Sequence, residues 1–266
     1  MVIARRGKAS LSNQAKSVDI RKVKRSCKTC SLAELSLPRG LSKDELNTFS
    51  EGVIQQHPIH RGDHLFRAGD NFRSIYIVKS GSLKVYINTP DGSEQIVGFH
   101  MAGGLLGLDG LDDQFHTCSA LALETTSLCE LPFNIIEDLC KQYSSVYREL
   151  CAAMGREIVE RQAMLLVLGK RSAEERIATF LLSLSKRFNK RGFSGNEFNL
   201  SMSRHDIANN LGLAPETVSR QLVRLHEENI LTVEQRHVQI HDAEMLHELG
   251  GNRSDNSERA AATYAG

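Results

Sequence analysis

Three side chains in the C-terminal part of the chain, Glu216, Ser219 and Arg220, have the types and the spacing that suit contact with DNA bases. Residues at i, i+3 and i+4 lie along one edge of a helix. Arg can donate two hydrogen bonds to guanine, Glu can accept one from cytosine N4, and Ser can contact a base or a phosphate. The trio therefore predicts a helix that reads bases, the alternative being a solvated helix face that touches no nucleic acid.

The element that must position this trio is Ser203–Leu225, whose turn chemistry predicts a helix-turn-helix. Ser203 suits an N-cap with Asp206 at the capping-box position, Gly212 ends the first helix, and Pro215 suits the first turn of the next. Apolar residues recur at helical spacing on the opposite side: Ile207, Ala208, Leu211, Val218, Leu222 and Leu225. Two short β runs that flank Gln235-Arg236 then predict a wing hairpin.

Cysteine spacing indicates a second possible chemistry. The chain has six cysteines, of which Cys27 and Cys30 form a Cys-x-x-Cys pair. That spacing is typical of metal or cluster ligands, but no second pair is present to complete a zinc site. The alternative is that these are two reduced surface thiols and that Cys129 is a buried thiol, with no metal or cluster bound.

Composition limits the classes of function. The 266 residues are 41% hydrophobic and 24% charged, enough for two domains plus tails. No run of about 18 apolar residues and no apolar leader is present, so we expect no membrane contact and a cytoplasmic protein. The net charge of +1 requires any nucleic-acid affinity to come from local patches. The ten His are scattered without a catalytic constellation, so we do not expect an enzyme.

The order of patterns predicts an α+β chain: an N-terminal antiparallel β-roll, a long dimerisation helix and a C-terminal winged helix-turn-helix. The roll follows from short β runs separated by turn dipeptides between His57 and Pro132. The predicted boundaries are a flexible basic arm at 1–26, a sensory segment and roll at 27–140, the dimer helix at 141–170, the DNA-binding domain at 171–245 and a flexible tail at 246–266.

The long helix carries a stripe with alternating spacings of four and three, typical of a two-helix coiled coil. The stripe consists of Tyr147, Cys151, Met154, Ile158, Arg161, Leu165 and Leu168. It predicts a homodimer interface, the alternative being a helix that packs only on its own roll.

This arrangement resembles the CRP/FNR superfamily of bacterial transcription regulators, and most closely its oxygen-responsive FNR branch. The resemblance covers Cys27 to Ile240 and is carried by stretches such as GSLKVYINTPDGSEQIVGFHMAGGLLGLDGL, SAEERIATFLLSLSKRF and LSMSRHDIANNLGL. It implies a homodimeric activator or repressor that binds double-stranded DNA at an inverted repeat of TTGAT and ATCAA half-sites. It also implies that Glu216, Ser219 and Arg220 read those bases and that the turn at Thr89–Gln95 contacts RNA polymerase; a plain hairpin turn is the alternative for that segment.

The same resemblance implies a [4Fe–4S] cluster held by four cysteines. Cys27, Cys30 and Cys129 match three of the positions, but Ser36 stands at the remaining one. A Ser hydroxyl deprotonates far less readily than a thiol. Three alternatives stay open: Ser36 or water completes a labile cluster, a different Cys substitutes (Cys118, Cys140 or Cys151), or the protein has no cluster.

Two further departures concern the switch and the roll. Arg161 stands where the FNR pattern has an acidic residue that opposes dimerisation, and it either repels its copy or pairs with Glu157 or Glu160. The stretch Gly103–Ala120 has no Arg, Lys or Glu to bind a cyclic nucleotide, so we expect none. The sequence thus predicts a redox-responsive, DNA-binding regulator; the alternative is a regulator of the same fold without a cluster, constitutive or sensing another ligand in the roll.

Overall fold

The computed structural model describes residues 41–251. From residue 41 to the end of the roll the structure has one α-helix, eight strands and a short 3-10 helix at Leu108–Gly110: α1 (Lys43–Gly52), β1 (Ile54–Gln55), β2 (His64–Phe66), β3 (Ser74–Ser80), β4 (Ser82–Asn88), β5 (Glu94–Met101), β6 (Leu105–Leu106), β7 (Ser119–Ala122) and β8 (Ser127–Pro132). The helices α2 (Phe133–Gln142) and α3 (Ser144–Lys170) follow. The C-terminal part contains α4 (Ala173–Lys190), β9 (Glu197–Asn199), α5 (Arg204–Leu211), α6 (Pro215–Glu227), β10 (Leu231–Glu234), β11 (His237–Ile240) and α7 (Ala243–Leu249).

The eight strands form two antiparallel four-stranded sheets that face each other as a β-roll. Their strand orders are β1-β8-β3-β6 and β2-β7-β4-β5. Alternating side chains of β3 and β4 point into the roll, where Val78 and Leu83 are fully buried. The strand β5 lies at the edge of its sheet and, among the strands of residues 41–251, pairs only with β4. Helices from the rest of the chain meet this edge.

The helical segment differs from the prediction at its start. The dimer helix was predicted from residue 141, but Tyr143 has an extended backbone (φ −129°, ψ 108°) that separates α2 from α3. The Tyr143 N–H donates to the Leu139 carbonyl and closes α2, and its hydroxyl lies 3.4 Å from Thr48 Oγ1 of α1. This long-range contact fixes the break, and α3 begins at Ser144.

The C-terminal domain is a three-stranded sheet, ordered β10-β11-β9, with four helices. Its first helix, α4, has the same kind of capping box as α5, with Ser172 and Glu175 bonded reciprocally. The predicted flexible tail at 246–266 is wrong for its first residues, because α7 extends to Leu249. Leu246 is fully buried in the core that also contains α4, so packing orders this helix.

One apolar core connects the roll with the C-terminal domain. Tyr86, Ile96 and Phe99 of the roll belong to the same buried cluster as Ile207 and Leu211 of α5. The Phe99 ring also meets Phe180 of α4 edge-on, with centroids 6.0 Å apart. The described chain therefore confirms the predicted fold class and shows the two domains in direct contact.

Candidate nucleic-acid interface

The first helix of the helix-turn-helix is fixed at both ends by local geometry. Ser203 Oγ accepts a hydrogen bond from the Asp206 N–H at 3.1 Å, and Asp206 Oδ2 accepts one from the Ser203 N–H at 2.9 Å. At the other end Gly212 has φ 60°, which Gly adopts without steric cost. Both predicted ends of α5 are confirmed.

The second helix presents its polar edge because its apolar side is fully used. Pro215 begins α6, where the missing N–H costs nothing, as predicted. The core-facing side chains are between 0% and 4% exposed: Val218, Leu222 and Leu225. This packing fixes the rotation of α6 about its own axis, so its other edge faces outward.

That outward edge carries the three predicted base-reading residues. Glu216 and Arg220 are exposed, and Ser219 is half-buried. Within the part of the chain that the structure describes, none of these three side chains makes a hydrogen bond or an ion pair. Their hydrogen-bonding groups are therefore available to a partner outside the described chain.

Arg224, one turn beyond Arg220 on the same helix, has the opposite arrangement. Its Nη1 lies 3.2 Å from Glu174 of α4, and its Nε donates to Glu228 at 2.8 Å. The hydrogen bond from Arg224 to Glu228 and the charge of Glu174 raise the pKa of the Arg224 guanidinium. Arg224 thus ties α6 to α4, while Arg220 remains open to solvent.

The wing predicted around Gln235-Arg236 is present as the β10–β11 hairpin. The two strands pair from Leu231 opposite Ile240 to Glu234 opposite His237. Arg236 is exposed at the tip, and its guanidinium donates to the Ser201 carbonyl at 3.3 Å. A cation therefore lies at the end of the wing.

A second polar cluster lies inside the β-roll and centres on Asp109, within the stretch that lacks Arg, Lys and Glu. The Asp109 carboxylate accepts hydrogen bonds from the Thr117 N–H at 2.9 Å, from the Cys118 N–H at 3.3 Å and from the Cys118 thiol at 3.2 Å. His116 Nδ1 lies 3.3 Å from the same carboxylate, and the His116 ring stacks on Phe66 with centroids 3.7 Å apart. The cluster satisfies itself within the chain, and the sequence patterns gave no sign of it.

Hydrogen bonds keep Asp109 ionised, and the turn that precedes it requires glycine. Gly107 has φ 94°, and a Cβ there would come within 2.9 Å of the Ser74 carbonyl oxygen, so this turn requires glycine. Burial by itself would raise the pKa of Asp109, but the hydrogen bonds from His116, Cys118 and Thr117 outweigh burial and lower the pKa to about 2. The roll therefore contains a fixed negative charge.

Cys129 is the one predicted cluster ligand within the described residues; Cys27, Cys30 and Ser36 lie outside them. Cys129 is half-buried in β8, opposite Gln55 and Ile77. It packs against the apolar cluster that also contains Phe49 of α1. Its thiol thus lies on the side of the roll against which α1 packs.

The donor set within residues 41–251 is too small for a four-iron cluster. No group of three His, Cys, Asp or Glu side chains in this range could hold a metal. Cys118 is poorly suited to substitute, because burial and the Asp109 charge raise the pKa of its thiol and oppose the thiolate that iron requires. Burial also raises the pKa of Cys140. A cluster bound at Cys129 would therefore need its other ligands from outside residues 41–251.

An exposed apolar stripe runs along α3. Its members are between 57% and 69% exposed: Tyr147, Ile158, Val159, Leu165 and Leu166. Of the predicted seam, three residues lie in this stripe (Tyr147, Ile158 and Leu165), and four are half-buried (Cys151, Met154, Arg161 and Leu168). The half-buried side includes the Arg161 position at which the sequence left repulsion or pairing open.

Arg161 is paired within its own chain. Its Nε donates to Glu157 Oε1 at 2.9 Å, and its guanidinium also donates to the Val97 carbonyl of β5. The structure thus shows the predicted Glu157 pair and adds a contact with the roll. The side chain lies toward its own β5.

Residues 56–143 match the family described as cyclic nucleotide-binding domain, and residues 175–249 match the Crp-like helix-turn-helix domain. The chain is 48% identical over 225 residues to the transcriptional activator protein Anr of Pseudomonas protegens, covering 85% of this chain and 92% of that relative. The chain belongs to the CRP/FNR family of transcription regulators. It is a DNA-binding regulator of the Anr/FNR type, as the resemblance implied, and not an enzyme.

Further relatives agree with this family. The fumarate and nitrate reduction regulatory protein of Yersinia pestis is 42% identical and covers 85% of this chain and 90% of its own. The structure of FixK2 from Bradyrhizobium japonicum superposes with a TM-score of 0.69 at 30% identity, covering 74% of this chain and 96% of that one. No helix within residues 41–251 is long and apolar enough to cross a membrane.

Proposed function

We propose that two copies of this CRP/FNR regulator bind an inverted repeat in double-stranded DNA through Glu216, Ser219 and Arg220. The open Arg220 guanidinium, one turn from Arg224, which pairs with Glu174 and Glu228, is the observation that carries the proposal. Arg220 provides the bidentate donor for guanine, Glu216 an acceptor for cytosine N4, and Ser219 a shorter contact to a base or phosphate. As its relatives' names suggest, the regulator acts as a transcriptional activator.

The two copies associate through α3. An exposed apolar stripe this long is costly in water and typical of an interface. Ile158 and Leu165 lie two turns apart within this stripe, as seam residues do. The nearby Gly155 is also open, because a methyl group added there would meet no atom within 4 Å. A Leu165→Asp substitution should convert the dimer to a monomer in sedimentation; an unchanged dimer would place the interface elsewhere.

The signal is oxygen, sensed through a [4Fe–4S] cluster that promotes this dimer. Cys27, Cys30 and Cys129 would hold it, with Ser36 or water at the fourth iron. When bound, such a cluster supplies an oxygen-labile group that changes with redox conditions. The half-buried Cys129 on the side of α1 supports this arrangement, and the kinship with fumarate and nitrate reduction regulators supports the response.

Anaerobic purification tests the cluster directly. The protein should be brown and contain iron and sulfide in near-equal amounts, and it should lose its colour in air. Ser36→Cys should slow that loss, whereas Cys129→Ser should prevent iron retention. Colourless, iron-free protein that still binds the inverted repeat would support the alternative, a regulator of this fold that works without a cluster.

The roll works without a cyclic nucleotide. Asp109 already accepts the N–H groups of Thr117 and Cys118, and its negative charge would repel a phosphate brought to the same place. The hairpin tip at Thr89–Gln95 contacts RNA polymerase in this proposal. Asp91 organises that tip by accepting hydrogen bonds from Ser93, whose N–H lies 3.1 Å away.

A further inference from the structure

The outer edge of β5 is bonded by side chains instead of by another strand. Edge strands leave a row of N–H and C=O groups that need partners. The Ile96 N–H donates to Asn209 Oδ1 at 2.6 Å, and Asn209 Nδ2 donates to the Glu94 carbonyl at 2.7 Å. One amide thus accepts from residue i+1 and donates to residue i−1 of β5, as a residue of a neighbouring parallel strand does.

The adjacent Asn210 adds a buried bond to the same edge. Its side chain belongs to the helix α5, and the residue is only 6% exposed. Asn210 Nδ2 donates to the Ile96 carbonyl at 3.1 Å. Buried amides require hydrogen-bond partners, so this bond is retained only while α5 lies against β5.

A charged contact supports the docking from the neighbouring strand. Lys84 Nζ of β4 lies 3.4 Å from Asp206 Oδ1 at the start of α5 and 3.0 Å from Glu94 Oε2. Burial alone would raise the pKa of Asp206, but hydrogen bonds from Ser203 and the Lys84 charge outweigh it and lower the pKa. Asp206 therefore serves both as the capping residue of α5 and as its anchor on the roll.

Further along β5, two backbone carbonyls accept hydrogen bonds from the helices α3 and α4. The Val97 carbonyl accepts from Arg161 of α3, and the Phe99 carbonyl accepts from Arg187 Nη1 of α4 at 2.7 Å. The strand β5 therefore connects the helix proposed for dimerisation with the helix-turn-helix. In this arrangement, with α5 packed against β5, Arg220 of α6 is exposed.

We propose that Asn209 and Asn210 are positioning residues that hold the recognition helix at a fixed orientation to the dimer helix and thereby set the half-site spacing that the dimer accepts. This inference rests on the proposed function, because spacing has meaning only for two copies on an inverted repeat. Each base pair added between half-sites rotates one of them by about 34° around the duplex. A dimer with fixed recognition helices therefore tolerates one spacing.

The test measures binding to TTGAT and ATCAA half-sites whose central spacer is native, one base pair longer or one base pair shorter. Wild-type protein should lose about thirtyfold in affinity on either changed spacer. In the Asn209→Ala/Asn210→Ala variant that loss should fall to about threefold, with native-spacer binding about tenfold weaker. Asn189→Ala is the matched control, because Asn189 is exposed on α4 and makes no side-chain hydrogen bond within the described chain.

A second test measures the hydrogen-exchange rate of the Ile96 amide in the single variant Asn209→Ala. This variant removes only one half-buried side chain at the surface. Its Ile96 N–H should exchange at least about tenfold faster than in wild type and in Asn189→Ala. An unchanged spacing penalty, or an unchanged Ile96 exchange rate, overturns the positioning role while leaving the DNA proposal intact. Wild-type protein that binds no inverted repeat at any spacing overturns the DNA proposal as well.

Discussion

The recognition edge of α6 and the Asp109 cluster of the roll contain similar polar groups used in opposite ways. At α6, Glu216 and Arg220 are exposed, and neither has a partner within the described residues. In the roll, Asp109 accepts from His116, Thr117 and Cys118 and remains mostly buried, with its side chain 20% exposed. The comparison distinguishes an open polar edge, which we propose binds DNA, from a site whose polar groups already bond one another within the fold.

Removing the charge of Asp109 should break the filled site. Asp109→Asn replaces the carboxylate with a neutral amide that keeps a single acceptor oxygen, so the charge-assisted hydrogen bonds from Thr117, Cys118 and His116 are weakened or lost. We expect a loss of about 3 kcal/mol in the free energy of unfolding, measured by urea denaturation. The exposed Asp113→Asn should change it by less than about 0.5 kcal/mol. Equal effects would show that Asp109 is not a structural anion.

The pH dependence of folding stability should reflect the same Asp109 charge. The pKa of Asp109 is lowered from 3.8 to about 2, so the folded state binds the proton less readily than the unfolded state. The folding stability that the ionised Asp109 contributes is complete above its pKa in the unfolded state, and it is lost as the pH falls from about 4 toward 2. The stability gap between wild type and Asp109→Asn should therefore be constant between about pH 5 and 7 and narrow below about pH 4, as followed by urea denaturation at each pH. A stability difference between the two proteins that does not change with pH would contradict an ionised Asp109 in the folded state.

Arg220→Ala should leave folding intact and weaken DNA binding. The loss should be about 2 kcal/mol and should fall on one symmetric base position in each half-site, because a bidentate contact reads one guanine. Arg220→Lys keeps the charge but not the fork of donors, and we expect it to recover less than half of the loss. Fluorescence anisotropy with single-base variants of the half-site measures this. Uniform weakening on all sequences would make Arg220 a phosphate contact.

Arg224→Ala should show the reverse pattern with the smallest effect. Arg224 is half exposed and pairs with Glu174 and Glu228, so its removal should lower folding stability only slightly, as the loss of a surface ion pair does. Base preference should stay unchanged when the same half-site variants are measured. A shift in base preference would show that the two arginines are not separated as the structure indicates.

The helix-turn-helix was predictable because its determinants are local. The cap at Ser203, the stop at Gly212 and the start at Pro215 lie within a few residues of the bonds they make, and all three are confirmed. The β-roll could be predicted as a type of fold from the turn dipeptides that separate its short strands. Asp109 was not found, because its partners lie seven to nine residues away across a turn that no periodic pattern marks.

The docking of α5 and the direction of Arg161 depend on longer contacts. Asn209 bonds β5 across more than a hundred residues of sequence, and polar residues inside a helix carry no signal for such a partner. In a straight helix, a position that repeats every seven residues shifts around the helix by about 20° per heptad. Arg161 and Leu168 lie two and three heptads after Tyr147, so they point to a different side of α3 from Tyr147. On α3 these two are half-buried, and Arg161 bonds β5.

Titration of the wild-type protein with the intact inverted repeat, and with a duplex in which one half-site is scrambled, tests the central claim most directly. We predict two protein chains per intact duplex and at least about a hundredfold weaker binding to the scrambled one, because a two-fold dimer then loses one of its two base-reading edges. Equal affinity for the two duplexes would contradict two-fold base reading.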